Sequence, residues 1–260
     1  MDKYGLIGYP LGHSFSKRFF TEKFLREGIN AIYDNYEIAD ARMLLDVVKQ
    51  NPELRGLNCT IPHKRAIMPM LDSISEEARE IGAVNVIRIR RKDDGGCTLE
   101  GFNSDYIGFK ESIKPLLKPT HRNALILGTG GASQAVRVVL THMGINRTYV
   151  SRSSHPGMLC YEDITPALLK QYQIIVNCSP VGMFQHIDEA PSLPYEALTE
   201  NHLLFDLVYN PEETLFLKHG AKQGATTKNG LEMLHLQALA SWEIWNESTE
   251  KSLQTEDEAI

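Results

Sequence analysis

The chain is poor in cysteine and carries no paired cysteine motif. Cys59, Cys97, Cys160 and Cys178 include no CxxC and stand at no zinc-like spacing from a histidine. No disulfide framework is implied, so a reducing compartment is expected. No apolar run reaches the ~18 residues of a membrane helix. The opening stretch, MDKYGLIGYPLGHS, lacks a basic start followed by an apolar segment, so a secretory signal is not expected either. The expectation is a soluble cytoplasmic protein. Positive charge is in deficit: 27 Lys and Arg stand against 33 Asp and Glu, a net charge of -6. A nucleic-acid surface needs a basic footprint and is not expected, although a locally positive pocket could still take a small anion. The nine histidines form no HExxH or similar cluster, so no metal is expected. Internal repeats and low-complexity segments are absent. The acidic stretch from Glu247 to Ile260 reads as frayed, with 251–260 a disordered tail.

What is present is ordinary globular composition: 260 residues, 42% hydrophobic and 23% charged, enough for one large domain or two modest ones. The first hundred residues alternate between strand and helix signals. YGLIG reads as a buried strand. Ser14 can cap a helix with Phe19, Phe20, Phe24 and Leu25 on its apolar face. AIYDNYEI reads as a strand, 39–50 as a helix, and GLNC as a short strand, with Pro62 in the first turn of the next helix. Ser73 and Glu76 form a capping-box pattern. AVNVIRIRR and CTLEGFN flank KDDGG, a hairpin signal. After a connecting helix near 104–117 the alternation restarts at Asn123, with strands at NALILG, RTYVSR, QIIVNC and LLFDLVY and helices at 132–143 and 163–171. The fold class read from this pattern is α/β, in two α/β units. A last helix over 230–246 places Leu231, Leu234, Ala238 and Trp242 on one stripe and could pack on either unit.

ALILGTGGASQAV, residues 124–136, is a strand–turn–helix with glycines at 128, 130 and 131. Glycine there lets the backbone turn tightly and approach a pyrophosphate, while helix N–H groups face the anion. Ala132 lies in the same turn, and Ser133 occupies the third glycine position, so the dinucleotide pattern is imperfect. An acid about twenty residues on would hold the ribose hydroxyls of NAD. None occurs between 149 and 156; Arg152 stands there among Ser151, Ser153 and Ser154. A guanidinium with hydroxyls suits a 2′-phosphate, so NADP is favoured over NAD.

In LNCTIPHK, residues 57–64, small polar groups and a proline lead to a single cation, Lys64. A lysine placed by a carboxylate can deliver a proton to a developing alkoxide. The candidate carboxylate is Asp105 in EGFNSDYIG, and a cleft between the two units is where a substrate should meet the nicotinamide. The simpler alternatives are a surface lysine, a helix-opening acid at Asp105, and serine caps at 14 and 16.

GYPLGHSFS, NCTIPHK, GAVNV, GFNSDYIG, GTGGAS, NCSPVGM and NGLEMLHLQALASW come in the order and spacing of the shikimate dehydrogenases, and the chain resembles that family over residues 4–246. The resemblance implies reversible NADPH-dependent reduction of 3-dehydroshikimate to shikimate, in aromatic amino acid biosynthesis. It implies a substrate-binding domain over 1–104 and 230–250, the last helix returning to it, and a Rossmann-like NADP domain over 105–229. By motif, Ser14 and Ser16 would bind the substrate carboxylate, and Thr60, Asn85 and Gln237 the ring hydroxyls. Lys64 and Asp105 would stand at the reacting centre, with Tyr209 and Gly230 near the cofactor–substrate junction. The sequence departs from the family at Lys17, where a proline is usual, which could alter the helix start or add a cation near the carboxylate. It departs again at 151–153, SRS in place of NRT. A quinate-using paralogue and a non-catalytic NADP- or metabolite-sensing module are the rival readings. The resemblance leaves a monomer and a homodimer both open.

Overall fold

The computed structural model describes residues 1–12, 15–153 and 155–247. His13, Ser14, Ser154 and the expected tail beyond 247 lie outside the described residues. The chain divides into two compact units, one of 1–104 with the end of the chain from 237, the other of 105–236.

The first unit runs β1 (Asp2–Gly8), α1 (Phe15–Glu27), β2 (Ala31–Glu37), α2 (Leu44–Gln50), β3 (Leu54–Cys59), β4 (Ser73–Ile74), α3 (Glu76–Ile81), β5 (Val86–Arg91) and β6 (Cys97–Phe102). Its sheet has the order β2-β1-β3-β5-β6-β4. β1 lies parallel to β2 and β3, whereas β5 runs antiparallel to both β3 and β6. The hairpin expected around KDDGG is therefore present. One face of the sheet packs a core around Ile7, Leu44, Leu54, Leu57, Ile67 and Ile87.

Three local expectations are corrected. Residues 61–67 are successive turns leading to a 3-10 turn at Met68–Met70, so Pro62 opens no α-helix. The cap of α3 is Ser75, whose Oγ accepts from Ala78 N–H at 3.2 Å; Ser73 sits in β4 instead, because pairing with β6 takes its backbone. In α1, Leu25 is 79% exposed, and Lys23 is buried in its place. The Lys23 ammonium reaches Glu27 at 2.6 Å and stands 5.5 Å from the centroid of the Trp242 ring.

The second unit runs α4 (Ser104–Ile113), β7 (Asn123–Leu127), α5 (Gly131–His142), β8 (Asn146–Ser151), β9 (Leu159–Cys160), α6 (Pro166–Leu169), β10 (Ile174–Asn177), β11 (Leu203–Asp206), α7 (Leu215–Lys222) and β12 (Thr226–Lys228). The last helix, α8, spans Leu231–Asn246, and the division between the units falls inside it. The sheet order is β12-β11-β10-β7-β8-β9, all parallel. Counted from β7, this is the 3-2-1-4-5-6 order of a Rossmann fold. Its strands are apolar on both faces, as a sheet covered on both sides requires: Ala124 to Leu127, Ile174 to Val176 and Leu203 to Phe205 are buried. The helix expected over 163–171 is only the single turn of α6, preceded by a 3-10 turn at Tyr161–Asp163.

Within the first unit α8 buries Ala238, Ala240, Ile244 and Trp245. The apolar stripe expected to begin at Leu231 does not, since Leu231 is exposed. Trp245 packs on Tyr4, Phe20 and Tyr33, with ring centroids 4.9, 5.2 and 6.4 Å away. Its Nε1 donates to Ile87 O at 3.1 Å, and a Cβ at Gly56 would overlap its ring. Trp245→Ala is expected to destabilise the protein by about 3–5 kcal/mol, the range for removing a large buried aromatic. Urea denaturation would show this as a lowered midpoint.

Candidate active site

In the first unit, hydrogen bonds gather Ser16, Asn85 and the Gln237 carbonyl around the end of β3. β3 ends at Cys59, whose N–H donates to Asn85 O at 2.8 Å, and Thr60 N–H donates to Ile7 O at 2.9 Å. The following turns return Lys64 to the same place: its carbonyl accepts from Val84 N–H at 2.8 Å. His63 is buried with Nε2 2.7 Å from Ile38 O, the contact of a structural histidine. Burial pushes the Cys59 thiol up to about 12, with the charge of Lys64 pulling the other way. Asn85 is buried, and its Oδ1 accepts from Ser104 N–H at 2.7 Å and from Ser104 Oγ at 3.3 Å. The oxygen is thus occupied, and the amide N–H groups are what Asn85 can offer a ligand.

Ser16 and Gln237 are tied in through Tyr33, Asn58 and Ser241, to which the motifs assign no substrate role. Ser16 hydrogen-bonds Tyr33, Tyr33 Oη donates to Asn58 Oδ1 at 2.9 Å, and Asn58 Nδ2 donates to Ser241 Oγ at 2.9 Å. Ser241 Oγ donates in turn to Gln237 O at 2.9 Å. Asn58 stands inside LNCTIPHK and Ser241 inside the last quoted motif, so both were in view. Their pairing is a tertiary fact that spacing does not carry. Lys17, at the family's proline position, is exposed and meets Asp34 at 3.2 Å, so its charge has a partner on β2. Asp105 is buried in the first turn of α4.

The second unit builds the dinucleotide turn. Gly128 leaves β7 at φ +98, a conformation that favours glycine. Gly130 is the N-cap of α5 and offers no side-chain cap, so the first N–H groups of the helix, at Gly131 and Ala132 among them, are open to an anion. Ser133 is buried, and its Oγ donates to Gly130 O at 2.6 Å, so the missing third glycine is replaced by a hydroxyl paired within the turn. Neither Gly130 nor Gly131 would bring a Cβ within 4 Å of any atom, which leaves an open cradle in front of the helix. Ser151, Arg152 and Ser153 follow at the carboxyl end of β8, with the last two exposed. These residues fit a phosphorylated dinucleotide: free helix N–H groups for its pyrophosphate and a guanidinium among hydroxyls for a further phosphate. Tyr209 is exposed and Gly230 buried, with Gly230 N–H donating to Val208 O at 3.1 Å. The same region holds Asn177, Asp206 and Thr214, three buried polar residues absent from the expected site. The available signal was an acid inside the apolar run LLFDLVY.

Among the described residues no group of His, Cys, Asp and Glu could hold a metal ion, and no helix is long and apolar enough to cross a membrane. All four cysteines are free.

An α/β unit with mixed sheet followed by a Rossmann unit with an open glycine turn defines a class of dinucleotide-binding oxidoreductase folds. The profile of the shikimate dehydrogenase substrate binding domain matches residues 6–87. Shikimate dehydrogenase (NADP(+)) of Halothermothrix orenii is 37% identical over 270 residues, covering 93% of this chain and 89% of that protein. A crystal structure of shikimate 5-dehydrogenase from Thermus thermophilus in complex with NADP(H) and shikimate is 29% identical, with a TM-score of 0.79 and coverage of 95% of this chain and 94% of that one. A ligand-free 5-ketofructose reductase of Gluconobacter is 30% identical, with a TM-score of 0.80 and coverage of 94% and 92%. The chain belongs to the shikimate dehydrogenase family.

Gly130 has φ -70 and ψ 177, which any residue adopts, and a Cβ there meets nothing. Gly130→Ala is therefore expected to leave stability within about 1 kcal/mol. If the open turn takes a pyrophosphate, the added methyl should still weaken NADP binding about tenfold or more. Thermal melts with and without NADP measure both effects.

Proposed function

We propose that this chain is a shikimate dehydrogenase, catalysing the reversible NADPH-dependent reduction of 3-dehydroshikimate to shikimate in aromatic amino acid biosynthesis. The observation that carries this reading is the hydrogen-bonded set at the end of β3. It ties Ser16, Asn85 and the Gln237 carbonyl to the residues that lead into the Lys64 turn, with the Asn85 amide N–H groups as neutral donors. A small polyhydroxylated carboxylate is matched by such donors, and a site of this kind rejects analogues by leaving buried polar groups unpaired.

Ser14 and Ser16 are assigned to the substrate carboxylate, and Thr60, Asn85, Gln237 and Tyr209 to its hydroxyls and ring. Gly128, Gly130, Gly131 and Ala132 hold the pyrophosphate, Ser151, Arg152 and Ser153 the 2′-phosphate, and Gly230 the nicotinamide side. The bound cofactor supplies the hydride. Lys64 Nζ gives a proton to the carbonyl oxygen as that oxygen gains negative charge, and recovers one in the reverse direction. Asp105 orients Lys64 and accepts a hydrogen bond from the substrate. The free thiols and the acidic net charge support a cytoplasmic enzyme acting on small molecules.

The test is reduction of NADP by the purified protein with shikimate, run beside NAD, quinate and 5-ketofructose. Turnover with shikimate and NADP well above the other pairs is the expected result. Turnover chiefly with quinate, or with 5-ketofructose and NADPH, assigns the site to another ring or sugar. Folded protein that binds NADP and turns over none of them is a sensor. In the active enzyme Lys64→Ala should lower kcat by about 100- to 10,000-fold with a much smaller change in KM, because its bond strengthens in the transition state. A raised KM at unchanged kcat would make Lys64 a binding residue only.

A further inference from the structure

At the carboxyl ends of β10 and β11 a charged side chain is shut away from solvent. Asp206 is 0% exposed. Burial pushes its carboxyl up to about 6, against the pull of the donors around it. Those donors fill both oxygens. Oδ1 accepts from Asn177 Nδ2 at 2.9 Å and from Val208 N–H at 3.0 Å, and Oδ2 accepts from Thr214 Oγ1 at 2.6 Å. The orientation of the Asn177 amide is fixed from its other side, because its Oδ1 accepts from Ser179 N–H at 3.1 Å and Ser179 Oγ at 2.6 Å. Its Nδ2 must then face Asp206, and it also donates to Val181 O at 3.2 Å.

What this cluster holds is the chain leaving β11. The bond to Val208 N–H closes a turn over Asp206 to Val208. Leu207 N–H donates to Asn177 O at 3.0 Å, and Val208 O accepts from Gly230 N–H at 3.1 Å. Gly230 lies so close that a Cβ would overlap Leu207 O. The sheet order says what the turn faces. The pyrophosphate turn follows β7, and Arg152 follows β8, its neighbour on one side; β10 and β11 lie on the other side. A dinucleotide with its pyrophosphate at β7 and its phosphorylated ribose toward β8 must extend its nicotinamide over β10 and β11.

We propose that Asp206 is a positioning residue: with Asn177 and Thr214 it fixes the Leu207–Val208 segment as the wall that orients the nicotinamide ring for hydride transfer. This rests on the NADP-dependent reaction assigned above. A displacement of about 1 Å in such a wall is worth on the order of 100-fold in rate, without any contact to the reacting atoms being lost.

Two variants test it in the full chain. Asp206→Asn keeps an acceptor for Asn177 and Val208 but turns an N–H toward Thr214. Thr214→Val breaks the same link from the other side and keeps the carboxyl group in place. Both are expected to fold, with kcat lowered about tenfold or more and the NADP Kd within about threefold of wild type. The primary isotope effect, with shikimate deuterated at the carbon that gives up hydride, should rise. Hydrogen exchange at the Val208 and Gly230 amides should quicken. If both folded variants keep kcat within about twofold and exchange at Val208 is unchanged, the proposal is overturned. A fall in kcat matched by loss of folded protein, with the isotope effect unaltered, also overturns it, since that marks a merely structural residue. Should either variant fail to fold, the other decides. A wild type that binds NADP without oxidising shikimate refutes the function assigned above, and exchange at Val208 in the variants still decides whether Asp206 fixes the turn.

Discussion

A polar atom shut away from water has to be paired, and in both units that requirement shapes the strand ends where the chemistry is placed. Leaving one buried donor or acceptor alone costs about 1–3 kcal/mol, more than a typical hydrogen bond contributes. Pairing therefore fixes direction as well as position. In the first unit the hydroxyl of Ser241 donates to Gln237 O, so its lone pair is what receives Asn58 Nδ2. The amide oxygen of Asn58 then faces Tyr33, which must donate, and the phenol oxygen is left to accept from Ser16. Burial pushes the Tyr33 hydroxyl well above its ordinary range, which keeps it a neutral donor. A main-chain carbonyl on α8 thus sets the side-chain orientations of residues on β3, β2 and α1.

The consequence for Ser16 is specific. Its one proton is turned toward Tyr33, so in the role proposed for it the hydroxyl would have to rotate before it could donate to a carboxylate. Rotation leaves Tyr33 still donating to Asn58, and the phenol oxygen loses only an acceptor role, the cheaper of the two to give up. Neutral hydroxyls can make this exchange because none of them carries a charge whose burial must be offset. An arginine in the same place would hold an anion more tightly, but it would need a partner whenever the site stood without ligand.

Much of the architecture can be read from local signals. NALILG and QIIVNC read as doubly buried strands because an all-parallel sheet needs apolar residues on both faces, and α5 reads as a helix from its periodicity. The hairpin at KDDGG is marked by its turn residues. The misreadings share a cause: local signals outvoted by tertiary pairing. Ser73 matches a capping box, but strand pairing with Glu100 takes it and Ser75 caps instead. Leu25 belongs on an apolar face by spacing, but the face that packs against α8 passes through Lys23. The motifs bring Ser16, Asn85, Lys64 and Gln237 into view. Tyr33 and Asp206 stay out of view, because what distinguishes them is the set of donors around them, which sequence spacing does not contain.

That set explains why position 206 carries an acid. Three groups converge on it: an amide N–H of Asn177, the backbone N–H of Val208 and the hydroxyl of Thr214. Val208 can only donate, and Asn177 is held in its donating orientation by Ser179. Thr214 Oγ1 accepts from Leu217 N–H at 3.4 Å as the cap of α7, and its one proton goes to Asp206 Oδ2. Only an acceptor on both oxygens satisfies all three. An asparagine would turn an N–H toward Thr214 and leave the hydroxyl proton without its acceptor, and an apolar residue would orphan all three donors at once. The negative charge at 206 is thus a by-product of hydrogen-bond arithmetic. The raised pKa follows from where that arithmetic has to be done, in a crevice closed by β10, β11 and the start of α7.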